Sequence, residues 1–84
     1  MGKNFHSMEV NVKLYSEMKR FAPGKQTDFR LNIAFGETVG DVLTHLKIPS
    51  TIQRVVLLNG KRVNESTLLD EQSTLVLFPP ISGG

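Results

Sequence analysis

GETVGDVLTHLKIP, residues 36–49, decides how the chain folds. Val39, Val42, Leu43 and Leu46 fall at i, i+3, i+4 and i+7, the spacing of one apolar stripe on an α-helix. Thr38 stands where an N-cap belongs. Asp41, three residues on, completes a capping-box pattern and places a negative charge near the positive end of the helix dipole. Gly40 weakens the first turn. Pro49 predicts that the helix ends at or before Ile48.

On both sides of this stretch the period changes to two. Upstream, Phe29, Leu31, Ile33 and Phe35 alternate with polar or small residues and predict a strand with those four side chains on one face. Farther upstream, Met8 to Leu14 alternates in the same way. The segment between these strands, YSEMKRFAPGK (15–25), reads as a short helical turn capped by Ser16 and running through Arg20, ended by Pro23-Gly24. The two strands are expected to pair antiparallel.

Downstream, RVVLLNGKRV (54–63) is a hairpin signal. Val55 to Leu58 is an apolar strand, and Asn59-Gly60 is the preferred type I′ pair because both residues tolerate positive φ. Lys61-Arg62-Val63 returns as a short charged edge. Residues 64–73 read as a loop in which Leu68-Leu69 folds back on the core. Thr74 to Phe78 is near-continuously apolar, which predicts an interior strand covered on both faces. The order ββαβββ specifies an α+β domain: a mixed four- to five-stranded sheet covered by one main helix, the pattern of a β-grasp (ubiquitin-like) fold. Three parts follow: an N-terminal extension or cloning remnant over 1–7, the β-grasp domain over 8–78, and a projecting Gly-Gly tail over 79–84.

Composition narrows the function. Eighty-four residues make one domain with a modest core. There is no cysteine, hence no disulfide, thiolate metal site or thiol nucleophile. The net charge is +2 and the basic residues are scattered, never more than two in a row, which argues against a nucleic-acid surface. No run is long and apolar enough for a membrane span, and MGKNFHSM has no signal-peptide core, so a cytoplasmic location is expected. The two histidines, His6 and His45, lack ligand partners at helical spacing; His45 reads as a solvated position, and no metal site is expected. No serine lies in a nucleophile motif, and no carboxylate pair is set for acid–base work.

The tail is different. Residues 72–84, QSTLVLFPPISGG, carry no charged side chain. Pro79 and Pro80 impose extended, polyproline-II geometry, so the chain leaves the last strand stiffly. The six residues after Phe78 reach roughly 20 Å when extended. Ser82, Gly83 and Gly84 have almost no bulk, and glycines let a backbone pass a narrow channel into another protein's site. A frayed or cloning-derived terminus would also be glycine-rich, but it would not be stiffened by two prolines.

VKLYSEMKRFAPGK (12–25), GETVGDVLTHL (36–46), VVLLNGKRV (55–63) and STLVLFPPISGG (73–84) together resemble the MoaD/ThiS family of ubiquitin-like sulfur carriers, most of all its MoaD branch. The segment KIPSTIQR (47–54) is closer in length to ThiS, while Phe78-Pro79-Pro80 resembles MoaD. The resemblance implies a carrier subunit that performs no catalysis itself and binds no cofactor. An E1-like enzyme would use ATP to adenylate Gly84, whose carboxylate becomes a thiocarboxylate. A MoaE-like large subunit would take up the tail in a hetero-oligomer and pass the sulfur to a pterin, building molybdopterin. Gly83 would give clearance; Ser82, Ile81, Pro80 and Pro79 would thread and dock. Phe78 would either anchor the partner or fill the core. The resemblance also admits a ubiquitin-like protein modifier that forms isopeptide bonds through Gly84, and a thiamine-pathway carrier of the ThiS type.

Overall fold

In a computed structural model, residues 7–81 are described. Five strands and one α-helix form the domain: β1 (Ser7–Leu14), β2 (Asp28–Ala34), α1 (Val39–His45), β3 (Val55–Leu58), β4 (Lys61–Arg62) and β5 (Thr74–Phe78). They form one mixed sheet in the order β2-β1-β5-β3-β4. β1 pairs antiparallel with β2, and β5 lies parallel to β1 and antiparallel to β3. This is the expected α+β, β-grasp architecture. β1 begins at Ser7, opposite Ala34, one residue before the alternation at Met8.

Alternation sets the two faces. Met8, Val10, Val12 and Leu14 of β1 are buried, as are Leu75 and Leu77 of β5. They pack with Val39, Val42 and Leu43 of α1 and with Met18, Ile48 and Leu69 in one core. β5 is interior, but it is not covered on both faces. Thr74, Val76 and Phe78 alternate with the buried leucines and are only half-buried, because the single helix packs on one side of the sheet.

The helix follows its sequence signals closely. The Thr38 hydroxyl accepts the Asp41 N–H at 3.3 Å, and the Thr38 N–H donates to the Asp41 carboxylate at 2.9 Å, so both halves of the capping box form. The next free amides are met by the loop after β4: Val39 N–H donates to the Thr67 carbonyl and Gly40 N–H to the Glu65 carbonyl, each at 2.9 Å. A Cβ on residue 40 would lie 3.3 Å from that Glu65 oxygen. Gly40 thus weakens the turn in isolation but lets the loop approach. The helix closes in a Schellman arrangement, with Ile48 N–H bonded to the Leu43 carbonyl, Lys47 N–H to the Thr44 carbonyl, and Lys47 at φ 60°.

Three local expectations are corrected. Ser16 caps nothing. Tyr15 occupies the N-cap position without a side-chain bond, and Ser16, at φ 56°, is already inside a 3-10 helix over Ser16–Phe21. The tight turn leaves the hydroxyl no amide two or three residues ahead to serve. Phe35 does not share the face of Phe29, Leu31 and Ile33. β2 ends at Ala34, the chain turns at Gly36 (φ 90°), and Phe35 is exposed. Of the Leu68-Leu69 pair, Leu69 is buried and Leu68 is 61% exposed, because Leu68 bridges to Thr38 and so directs only its neighbour inward.

The open sheet face and the root of the tail

The sheet face away from α1 is read from the register. One row across it runs Asp28, Lys13, Val76, Leu57, Arg62, and the next pairs Phe78 with Val55. On the β1–β2 half the side chains are mostly polar, and Glu9, Lys13, Asp28 and Arg30 are charged. Glu9 lies 3.8 Å from Arg30 and Lys13 lies 4.0 Å from Asp28. On the β5–β3 half Val76, Phe78, Val55 and Leu57 are half-buried apolar side chains, with no helix or strand among the described residues over them. Tyr15 continues the parallel ladder by donating its N–H to the Leu77 carbonyl at 3.0 Å and is 47% exposed beside this strip.

The strip corrects the sequence reading in detail. Leu75 and Leu77 belong to the core, so Val76 and Phe78 alone carry β5's open-face apolar surface, and β3 supplies the rest. Phe78, for which the sequence left two roles open, lies on the open face. Val63, at the end of the returning edge, packs against the core.

The tail leaves from the end of β5 that this strip occupies. Pro79 is half-buried, Pro80 is exposed and Ile81 is 89% exposed. Ser82, Gly83 and Gly84 lie outside the described residues. Beside the tail's root is an open groove of about 490 Å³, bordered by Ile52, Val55, Arg54, Arg62, Glu65 and Pro80.

Arg54, one scattered cation in the sequence, is the organising residue of this region. Its side chain is only 9% exposed. Nε and one terminal nitrogen donate to Glu65 Oε2 at 2.9 and 2.7 Å. The other terminal nitrogen donates to the carbonyls of Pro49 and Ile52 at 2.8 and 2.7 Å. One guanidinium therefore ties the loop after α1 to the loop after β4. Its fork of donors suits it to two carbonyls and a carboxylate at once. Nothing in the sequence signals this, since the partners lie two, five and eleven residues away in loops. Asn59 also does more than turn: its side chain accepts the Thr74 N–H and its N–H donates to the Thr74 carbonyl, each at 2.9 Å, which docks the hairpin on β5. His45 is not simply solvated. Its Nε2 lies 2.9 Å from Glu37 Oε1, while Glu37 Oε2 accepts the Ala34 N–H.

Among the described residues no group of three or more His, Asp or Glu side chains is placed to hold a metal ion, and no helix is long and apolar enough to cross a membrane. The arrangement offers a half-buried apolar strip and a chain that emerges beside it.

No curated protein matches this sequence significantly. Solved structures do. The HVO 2177 protein of Haloferax volcanii aligns with a TM-score of 0.80 at 24% identity, over 100% of this chain and 93% of that one. The small archaeal modifier protein 1 (SAMP1) of the same organism aligns with a TM-score of 0.71 at 26% identity, over 90% and 99%. The complex of subunits 1 and 2 of molybdopterin-converting factor from Helicobacter pylori contains a chain that aligns with a TM-score of 0.62 at 20% identity, over 92% and 100%. Residues 12–84, which include the end of β1, all of β2 to β5 and the tail, match the ThiS family, and the chain belongs to that family.

Proposed function

We propose that this protein is a sulfur carrier whose Gly84 carboxylate is activated and converted to a thiocarboxylate by partner enzymes, and that it donates this sulfur to molybdopterin synthesis. The observation that carries the reading is the pairing of an uncovered apolar strip with a proline-stiffened tail that leaves the same end of β5. A carboxylate is a poor electrophile. Attack of its oxygen on the α-phosphorus of ATP releases pyrophosphate and gives an acyl-adenylate, whose carbonyl then accepts a sulfur nucleophile as AMP departs. The carrier supplies reach and docking, and an E1-like enzyme supplies the catalytic groups. A MoaE-like large subunit then receives the tail. The strip of Val76, Phe78, Val55 and Leu57 is the surface that such partners cover. Carrier chemistry of this kind belongs in the cytoplasm, where ATP is at hand.

A second reading is favoured by the match to a small archaeal modifier protein at 26% identity. In that reading the activated Gly84 acylates a lysine amine of another protein. Intact-mass measurement on protein from its native cells separates the two. A mass rise equal to replacement of one oxygen by sulfur supports the carrier. Gly-Gly remnants on lysines of other proteins, with no thiocarboxylate, support the modifier.

A further inference from the structure

The groove at the tail's root has an unbalanced charge. Two guanidinium groups and one carboxylate border it. Arg54 gives four hydrogen bonds to Glu65 and two backbone carbonyls, and its charge is paired with Glu65. Arg62, exposed on the edge strand β4, has no carboxylate partner among the described residues. Among the described residues the groove therefore presents one cation without a carboxylate partner. It is continuous with the apolar strip through Val55, and Pro80 of the tail forms part of its wall. An anion placed there touches the tail's root, and a protein already covering the strip has only to extend one side chain to reach it.

We propose that the groove receives a carboxylate side chain of the activating enzyme, paired with Arg62, which fixes the tail's root while Gly84 enters the adenylating site. The inference rests on the carrier reading above. Arg62 stands opposite Leu57 on the open face, in the same row as Val76. Lys61, its neighbour in β4, stands opposite Leu58 and points the other way along the pleat. The two cations share a hairpin but not a face, so one tests the groove and the other tests general attraction.

The experiment is ATP–pyrophosphate exchange by the cognate E1-like enzyme against increasing carrier concentration, at low and moderate salt. Arg62→Glu is expected to raise KM roughly tenfold with kcat within about twofold of wild type, and to flatten the rise of KM with salt. Arg62→Ala should show a smaller rise, Arg62→Lys should recover most of the loss, and Lys61→Glu should stay within about twofold of wild type. An unchanged KM for Arg62→Glu overturns the proposal. Equal effects of Arg62→Glu and Lys61→Glu also overturn it, because they reveal only a diffuse field. A fall in kcat with KM unchanged would assign Arg62 to a phosphate of the nucleotide and overturn the carboxylate pairing. Those three results leave the carrier reading standing, since wild type is active in each. Absence of exchange by wild type itself removes the carrier reading, and the groove proposal with it.

Discussion

On the half of the open face carried by β1 and β2, Glu9 lies near Arg30 and Lys13 near Asp28. On the half carried by β5 and β3, Val76, Phe78, Val55 and Leu57 line up with no charge among them. Both halves belong to one sheet, and both lie on the side away from α1. Charged residues on an edge strand such as β2 keep it soluble and discourage pairing with other chains. The apolar half does neither. Its side chains are only half-buried, so they give the fold little, and they expose the protein to nonspecific association. A surface of that kind has its use in contact with a partner, and the tail emerges beside this half and not the other.

The sharpest break in the comparison lies along β5 itself. Leu77→Ala removes a fully buried side chain from the core and should destabilise the domain by about 2–5 kcal/mol. Val76→Ser, one residue away but on the open face, should change stability by about 0.5 kcal/mol or less and weaken partner binding. Urea denaturation and calorimetry with the large subunit read the two effects. If Val76→Ser destabilises as much as Leu77→Ala, the open face is structural and the docking role fails.

Next in size is the tail. Replacing Pro79 and Pro80 with glycine frees two backbone residues that must be ordered again on docking, at roughly 1–2 kcal/mol each. Binding to the large subunit should fall by about tenfold or more, with the melting temperature nearly unchanged. Equal affinities would mean that the prolines serve only to end β5.

The smallest effect is expected on the charged half. Arg30→Ala removes an exposed ion pair and should cost about 0–1 kcal/mol, less at high salt, with partner binding unaffected. A large loss of binding would extend the interface across the whole sheet and erase the contrast between its halves.

Much of this fold could be read from residues close together in sequence. Thr38 and Asp41, the Val39-Val42-Leu43-Leu46 stripe and Asn59-Gly60 shape their elements through residues at most seven positions apart, and the structure places each as its pattern implies. The failures have the same origin. Whether Val76 is covered depends on which strands flank β5 and on which side the helix lies. Alternation was hidden because every side chain from Leu75 to Phe78 is apolar. Ser16 failed because Tyr15 takes the N-cap position and Ser16, at φ 56°, already lies inside the 3-10 turn. Arg54 was invisible because its four hydrogen bonds reach two loops that the strands bring together. Of the candidate site, Phe78 to Ile81 are placed, and the apolar surface on β5 narrows to Val76 and Phe78 because Leu75 and Leu77 are buried. Ser82, Gly83 and Gly84 fall outside the described residues.

The central claim is that the folded domain presents Gly84 to another enzyme's active site. Deleting Gly84, or adding one residue after it, should leave the melting temperature unchanged because no core residue is touched. ATP–pyrophosphate exchange with the cognate E1-like enzyme should be abolished in both variants, since the carboxylate no longer reaches the adenylating position. Exchange at the wild-type rate by the extended protein would contradict the account.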